Sequence, residues 1–443
     1  MNNATVLIFG SGGREAALAW KIQQSPYVQH VIVAPGNIGM TYDSDIHIRN
    51  CSLQANNMLA LAKELQPDLI VIGPEQPLVD GVVDLLKQAG FLAIGPHQAA
   101  AQLEASKIFS KEFMTEFEIP TADYVFYDSY KDAVEGLNKW DFADGKGEIV
   151  IKSDELAGGK GVVLCDNKEK AQQIVFDFME NSAISVKTQR ILFEKKIRGR
   201  EISAFALFDG QDWIPMGYVC DYKRVYDHDM GPNTGGMGSF VPNDIPDEHQ
   251  KQQIYDIFER VNRGMIQRGT PYVGILFAGL MIEGEGKDSQ IRVLEFNIRF
   301  GDPETQSLLP TLDGDIFVLF YHCANGTLQE IQEEDMPLQN AKKAVHVVLA
   351  SQGYPSLDST KHPILTGQNI TWPSIQKRSS NTQIFFAGVR QGEMGLENSG
   401  GRVLGITCVA DSITEAREGA YQIVQQIHFE GMHYRRDIAK GYL

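Results

Sequence analysis

Two short stretches of the chain carry side chains that could bind a metal ion and a nucleotide. Glu295 and Asn297 lie two residues apart on a predicted strand, so both side chains would point to one face. Their oxygens are the ligand type that Mg²⁺ prefers. Far upstream, Lys152 precedes a glycine-rich loop at 158–161 that contains Lys160. Together these stretches predict a clamp for a metal–nucleotide complex, and hence ATP-dependent chemistry.

The residues around the predicted metal ligands favour a specific metal site over a random surface charge. Phe296 and Ile298 would point to the opposite face of the strand and into a core, whereas Arg299 would extend the polar face. This alternation argues against a random surface charge at Glu295, which is the alternative interpretation.

The glycine-rich loop suits phosphate binding, because its backbone can close over phosphate oxygens that Lys152 and Lys160 reach from two sides. The chain lacks the GxxxxGK[ST] pattern, so we do not expect the architecture of P-loop kinases. A solvated hairpin loop is the alternative.

Further on, Glu194 ends a predicted strand before 195–197, where backbone groups could bind an adenine edge. Glu201 could accept hydrogen bonds from ribose hydroxyls or be an ordinary strand-edge carboxylate.

The turn at 10–15, Gly-Ser-Gly-Gly-Arg-Glu, follows a predicted strand and opens a helix. Its amides and the positive helix end suit a phosphate, and Arg14 could add a charge-assisted hydrogen bond. A dinucleotide site is a weaker interpretation, because the GxGxxG pattern needs a glycine where the chain has Glu15. A purely structural tight turn is the other alternative.

A second glycine-rich segment, 229–238, shows no periodicity of a regular element. Long ordered loops of this kind tend to be functional, so we expect this loop to close over a substrate. Lys223 and Arg224 lie just upstream and would supply positive charge near a transferring phosphate.

The elements that must position these residues fall into three patterns. The N-terminal pattern predicts a parallel, Rossmann-like layer with strands at 6–9, 31–34 and 69–73 and helices at 14–24, 58–65 and 78–89. The middle pattern predicts a small α+β lid, followed by an antiparallel sheet with strands at 191–194, 201–208, 274–283 and 291–297. The last pattern predicts a mixed α/β domain with strands at 344–350, 383–388 and 402–410 and a helix at 415–427.

We therefore expect a multidomain protein of α/β and α+β class. The predicted units are a Rossmann-like substrate domain at 1–105, a linker helix and lid at 106–193, a core with the metal site at 194–326 and a C-terminal domain at 327–443.

Composition narrows the class of protein. The 443 residues carry a formal net charge of −17, which disfavours nucleic acid and anionic membranes as partners. The five cysteines are scattered without a CxxC or Cys/His cluster, which is typical of reduced thiols. Neither a targeting segment nor a membrane span is recognisable, so we expect a cytoplasmic enzyme.

Taken in order, the motifs resemble one family of enzymes. They are GSGGRE, APGN, GPEQPLVDG, the Lys152-to-GGKGVV loop, KRVYDHDMGPNTGGMG, VGILFAGLMI, EFNIRFGDPETQ and GGRVLG. Together they resemble the phosphoribosylamine–glycine ligases, or glycinamide ribonucleotide synthetases, of the ATP-grasp superfamily. The resemblance implies ATP-dependent joining of glycine to 5-phosphoribosylamine through glycyl phosphate, in de novo purine synthesis. It also implies Mg²⁺, or Mn²⁺ in its place, and a monomer or weak dimer.

The resemblance further implies roles for individual residues. Those expected at ATP are Lys107, Lys152, Lys160, Glu194, Lys195, Lys196, Ile197 and Glu201, with Glu295 and Asn297 on the metal. Those expected in catalysis are Arg299, Lys160 and Asp221, of which Arg299 and Asp221 would help to hold the glycine side. Those expected around phosphoribosylamine are Gly12, Gly13, Arg14, Glu15, Asn37 and Glu75, with Gly235, Gly236 and Met237 along the substrate cleft.

The chain departs from the family pattern at six positions, which are Ala16, Ser153, Glu155, Gly158, Cys220 and Tyr222. Two alternatives are a catalytically silent ATP-binding protein and another ATP-grasp ligase of purine synthesis. The intact lysines and metal ligands argue against the first. The GPNTGGMG and RFGDPETQ motifs argue against the second.

Overall fold

The computed structural model describes residues 3–42, 44–142, 147–156, 161–181, 188–243, 245–332, 335–336, 339–356, 362–372 and 381–442. Within these ranges, no helix is both long enough and apolar enough to cross a membrane. Lys160 and its neighbours Gly158 and Gly159 lie outside the described residues.

The N-terminal part is a parallel sheet with helices packed on it. Its strands are β1 (Ala4–Gly10), β2 (Val28–Pro35), β3 (Ile46–Ile48), β4 (Leu69–Ile72) and β5 (Ala93–Ile94), in the order β3-β2-β1-β4-β5. Its helices are α1 (Gly13–Ile22), α2 (Ala55–Leu65), α3 (Glu75–Val79), α4 (Val82–Gln88), α5 (Gln102–Ala105) and α6 (Lys107–Glu116). The run Val6 to Phe9 in β1 is buried on both faces, as the apolar strands of parallel sheets are.

The lid is a small antiparallel sheet with two helices. Its elements are β6 (Tyr124–Tyr127), α7 (Tyr130–Lys139), β7 (Ile149–Ser153), β8 (Val162–Cys165), α8 (Lys168–Met179) and β9 (Ile191–Lys195). Strand β9 pairs with β6 and β7, giving the order β6-β9-β7-β8. The prediction that 191–194 joins the larger sheet is therefore wrong, because an apolar run does not specify its partner strand.

A long antiparallel sheet forms the rest of the molecule, in the order β16-β15-β10-β11-β14-β17-β21-β18. Its strands are β10 (Arg200–Asp209), β11 (Trp213–Asp221), β14 (Gly238–Phe240), β15 (Val273–Glu283), β16 (Gln290–Asn297), β17 (Lys343–Ala350), β18 (Thr382–Phe386) and β21 (Arg402–Ala410). Two hairpins accompany it, β12 (Arg224–Tyr226) with β13 (Met230–Asn233), and β19 (Val389–Gly392) with β20 (Gly395–Asn398). The helices on this sheet are α9 (Glu248–Gln267), α10 (Glu304–Leu308), α11 (Ile316–Asn325) and α12 (Ile413–Val424). The sheet thus runs unbroken from the predicted core into the predicted C-terminal domain.

Two further predictions of local structure are wrong. The helix expected at 78–89 is two helices, because Gly81 takes a φ of +83° between them. The segment 229–238 is not simply a loop, since it contains β13 and reaches the first residue of β14. Its strands form because their backbones pair with β12, β11 and β17. Such pairing needs no apolar periodicity in the sequence.

Residues of the parallel sheet and the long sheet share buried apolar clusters, one of which reaches the end of β16. This cluster includes Val6 and Ile8 of β1 together with Phe205, Phe277 and Phe300. The rings of Phe205 and Phe277 stack with centroids 4.8 Å apart. This packing fixes the carboxyl ends of the parallel strands against the end of β16.

Candidate active site

The two predicted metal ligands lie at the carboxyl end of β16. Glu295 pairs with Gly279 of β15, just beyond a shift in register between these strands. Phe296 and Ile298 are buried in the core, so Glu295 and Asn297 share the other face of the strand.

The Glu295 carboxylate is surrounded by cations. Burial acts to raise its pKa, but Lys223, Lys152 and Lys107 outweigh burial and hold the pKa below its ordinary value. Glu295 is therefore ionised at neutral pH, with three positive charges around it.

These residues fit a divalent ion only if a nucleotide completes the site. No group of three or more His, Cys, Asp or Glu side chains in the described ranges could hold a metal alone. Asn297 Oδ1 accepts from Arg299 Nη2 at 3.2 Å, which leaves it one lone pair for an ion. Its Nδ2 is buried without a hydrogen-bond partner among the described residues, so it is free to donate to a phosphate oxygen. Mg²⁺ commonly takes one or two protein ligands together with substrate phosphates.

Lys152 is held in place by a buried carboxylate. Its Nζ lies 2.8 Å from Glu194 Oε1 and donates to the Leu294 carbonyl of β16 at 3.1 Å. Lys111 Nζ lies 3.3 Å from the same Glu194 oxygen. The Glu194 side chain therefore faces two lysines, and adenine binding by its backbone stays a prediction. The sequence reasoning missed Lys111, although it lies one helical turn after Lys107 on the same face of α6.

Lys107 lies where the lid meets helix α6. Asp154 Oδ1 accepts from Ser106 Oγ and from the Ile108 amide, both at 2.9 Å, and so joins the lid to the start of this helix. Lys107 Nζ donates to the Glu155 carbonyl at 3.0 Å. The Glu155 carbonyl, not its carboxylate, is what Lys107 contacts.

The predicted adenine and ribose residues already have protein partners. Lys195 pairs with Asp123 at 2.8 Å and Lys196 with Glu148 at 3.0 Å. Glu201 forms an ion pair with Lys223. A ribose hydroxyl would share the Glu201 carboxylate with that lysine. Ile197 is half-buried in the segment after β9.

The N-terminal turn is closed from inside by Glu15. Its Oε2 accepts from the Gly12 amide and its Oε1 from Arg14 Nε, both at 2.6 Å. Gly73 makes room for this side chain, because a Cβ atom there would lie 2.0 Å from Glu15 Oε1. One of the amides expected to bind a phosphate is therefore already occupied by a carboxylate.

Arg299 connects the end of β16 to the crevice of the parallel sheet. Its Nε lies 3.3 Å from Glu75 Oε2, and its Nη2 lies 3.0 Å from Glu104 Oε1. Glu104 also accepts from the Ile298 amide at 2.7 Å. Burial acts to raise the pKa of Glu75, but Arg299 and Arg14 hold it below its usual range. Glu104 was not predicted, since it lies in a short helix without a recognisable motif.

Two buried acceptors lie near the turn without partners among the described residues. Asn37 Nδ2 donates to the Ser11 and Phe386 carbonyls, at 2.8 and 3.1 Å, while its Oδ1 is unpaired. Gln306 Nε2 donates to Asp302 Oδ1 at 2.8 Å, while its Oε1 is unpaired. Since buried polar groups normally have partners, both oxygens suit hydroxyl or amine donors of a substrate.

The predicted substrate loop, the glycine-rich segment 232–238, is held by residues far along the chain. The Gly235 amide donates to the Tyr354 hydroxyl at 3.0 Å, and Arg402 Nη1 donates to the Gly235 carbonyl at 2.8 Å. Gly236 takes a φ of +115°, and a Cβ atom there would lie 2.2 Å from Pro303 Cδ. Met237 is buried beneath the loop. Tyr354 and Arg402 were missed, since only the fold brings them to this loop.

Asp221 ends β11 beside the same loop. Burial raises the pKa of its carboxyl to about 8, with Lys223 opposing the rise and Glu304 adding to it. Burial also raises the pKa of Glu304. At neutral pH this end of the cleft therefore holds a carboxyl group that carries a proton in much of the population.

Comparison with known proteins identifies the family. Models of phosphoribosylglycinamide synthetase match at 4–104 (N domain), 105–305 (ATP-grasp domain) and 344–441 (C domain). A phosphoribosylamine–glycine ligase of Vibrio vulnificus is 38% identical over 98% of this chain and 97% of its own length. One of Haemophilus influenzae is 39% identical, also over 98% and 97%. The chain belongs to the phosphoribosylglycinamide synthetase family.

Solved structures agree with membership of this family. The phosphoribosylamine–glycine ligase of Thermotoga maritima aligns with a TM-score of 0.81 and 33% identity, over 98% of this chain and all of the other. A biotin carboxylase of Campylobacter jejuni aligns with a TM-score of 0.73 at 13% identity, over 97% and 93% of the two chains. The second likeness shows the fold alone. The expected family and fold class are confirmed, whereas the roles of individual residues remain predictions.

Proposed function

We propose that this chain joins glycine to 5-phosphoribosylamine with ATP, giving glycinamide ribonucleotide, ADP and phosphate in purine synthesis. The observation that carries the proposal is the ionised Glu295 carboxylate among three lysines, linked by Arg299 to the crevice of the parallel sheet. This arrangement occurs in a chain that is 38% identical, over nearly its whole length, to ligases of that name.

In the first step the glycine carboxylate attacks the γ-phosphorus of ATP, forming glycyl phosphate as the bond to ADP breaks. Lys107 and Lys152 would hold phosphate oxygens, and Lys160 is proposed to join them from the lid loop. Glu295 and Asn297 would hold Mg²⁺, or Mn²⁺, which neutralises phosphate charge when bound. This chemistry needs positioning and charge neutralisation and no side-chain nucleophile.

In the second step the amine of phosphoribosylamine attacks the acyl carbon. The new carbon–nitrogen bond forms as the carbon–oxygen bond to phosphate breaks, phosphate leaves with the electron pair, and the amine gives up one proton. Arg299 and Asp221 are proposed to hold the glycine end. Asn37 and Gln306 are proposed to accept hydrogen bonds from phosphoribosylamine, which is supported by their buried oxygens that lack partners among the described residues.

The test is ADP release by the purified protein with Mg-ATP and freshly generated phosphoribosylamine, with and without glycine. We expect turnover that depends on glycine and falls at least about a hundredfold in Glu295→Ala. Glu283→Ala is the matched control, because Glu283 lies on the neighbouring strand and pairs with Arg292. ATP binding without turnover for glycine or another carboxylate would favour a silent ATP-binding protein instead.

A further inference from the structure

We propose that the C-terminal tail, residues 433–442, is a clasp that positions the substrate loop, with Arg435 as its central positioning residue. The inference rests on the proposed function, because it gives the tail a part in holding the glycine side of that site. It extends the site to a segment that carries none of the predicted binding residues.

Arg435 is fully buried, and its guanidinium group binds both within the tail and to the β12–β13 hairpin. Its Nε and Nη2 form a bidentate pair with Asp437, at 2.9 and 2.8 Å. Its Nη1 donates to Asp229 Oδ1 at 2.8 Å and to the Arg224 carbonyl at 3.0 Å. A planar fork of donors suits such an arrangement, and a lysine could not reproduce it.

The tail also holds Tyr222, which lies between the predicted glycine-side residue Asp221 and Lys223. The guanidinium carbon of Arg435 lies 4.6 Å from the centroid of the Tyr222 ring, a cation–π contact. The Tyr222 hydroxyl accepts from the Ala439 amide at 2.9 Å.

The backbone of Tyr222 passes this constraint to the substrate loop. Its amide donates to the Gly238 carbonyl at 2.9 Å, and its carbonyl accepts from the Met237 amide at 2.8 Å. The tail thus holds the Tyr222 side chain, and the Tyr222 backbone in turn holds the substrate loop.

The tail is itself anchored, so it can act as a rigid support. The Tyr421 hydroxyl of α12 donates to the Arg435 carbonyl at 2.6 Å. Arg417 of the same helix donates to the Arg436 carbonyl at 2.6 Å. The Arg436 amide in turn donates to Asp227 of the hairpin turn at 2.7 Å. Helix α12, the tail and the hairpin therefore form one connected unit.

The experiment compares steady-state kinetics of the full-length protein and Arg435→Met. We expect the KM for glycine to rise at least about tenfold and kcat to fall, with the KM for ATP nearly unchanged. Arg390→Met is the control, because Arg390 pairs with Glu397 in the separate β19–β20 hairpin. Equal rises in both KM values would indicate a general structural role and overturn the proposal.

Two Tyr222 variants and one exchange measurement keep the test decisive if Arg435→Met does not fold. Tyr222→Leu removes the ring under Arg435 and should reproduce its kinetic effect. Tyr222→Phe keeps the ring and should have a smaller one. Without substrates, amide hydrogen exchange over 233–238 of the substrate loop should speed up in Tyr222→Leu and Arg435→Met. Unchanged exchange overturns the clasp even if the wild type shows no glycine-dependent turnover, an outcome that would refute the proposed function separately.

Discussion

Replacing Lys111 with Met should change how the stability of this protein depends on pH. The Lys111 side chain is 2% exposed, with Nζ 2.6 Å from Thr121 Oγ1 and 3.3 Å from Glu194 Oε1. Burial lowers its pKa to about 8, even though Glu194 acts in the opposite direction. Folding therefore makes this ammonium group give up its proton more easily.

The sign and size of the effect follow from proton binding. An unfolded lysine has a pKa of about 10.4, so the unfolded chain binds more protons than the folded one between about pH 8 and 10.4. At neutral pH the buried Lys111 therefore lowers the free energy of unfolding, and this loss is regained as the pH rises through this window. Integrated from about pH 7.5 to 9.5, the gain is about 2 kcal/mol.

The assay is the free energy of unfolding of wild type and Lys111→Met, measured by urea titration at each pH. From about pH 7.5 to about pH 9.5, the free energy of unfolding of the wild type should rise by about 2 kcal/mol relative to that of the variant. Lys131→Met, at an exposed position of α7, is the control and should track the wild type. Parallel pH curves for wild type and Lys111→Met would refute the assignment of a depressed pKa to this lysine.

Two further substitutions test the two ends of the cleft. Gly73→Ala should weaken phosphoribosylamine binding at least about tenfold, because the added methyl would lie 2.0 Å from Glu15 Oε1 and displace that side chain. The KM for phosphoribosylamine checks this, with Lys63→Ala, at an exposed position of helix α2 in the same part of the chain, as control. Glu194→Gln should raise the dissociation constant for Mg-ATP at least about tenfold, because Lys152 loses the carboxylate 2.8 Å away. Calorimetric titration with a non-hydrolysable ATP analogue measures it, and an unchanged constant would contradict the positioning role.

The sequence was most informative where chemistry and periodicity coincide. At 295–298, polar and apolar residues alternate on a strand, so one pattern predicts both the ligand face and the buried face, and Phe296 and Ile298 are buried as expected. The parallel layer could be predicted equally well, because its strands are short apolar runs that end in glycine or proline. These patterns depend only on residues that are close in the sequence, so they can be recognised without knowledge of the fold.

Strand partners and distant contacts could not be predicted in this way. The run at 191–194 has the composition of a strand, but nothing in it specifies pairing with β6 and β7. Tyr354 and Arg402 lie more than a hundred residues beyond the Gly235 backbone that they hold. Their types are common in folded proteins, so only their position in the structure reveals what they do.

Residue type also fails to separate side chains that face a ligand from those that position other side chains. Glu15 and Glu194 both lie in motifs with the chemistry of a binding site. The structure shows each of them bonded to other protein groups, Glu15 to the Gly12 amide and Glu194 to Lys152. A carboxylate that holds a lysine is as necessary to a phosphate site as the lysine itself.

The long sheet explains why the C-terminal part cannot be a detachable appendage of this site. Strand β14, which begins where the substrate loop ends, pairs with β11 on one side and with β17 on the other. Arg402, at the start of β21, donates to the Asp302 carbonyl at 2.6 Å and to the Gly235 carbonyl at 2.8 Å. The loop is thus held between strands from both sides of the predicted boundary at 326. Because catalysis of this kind depends on positioning, we expect the C-terminal region to affect the reaction through its hold on this loop.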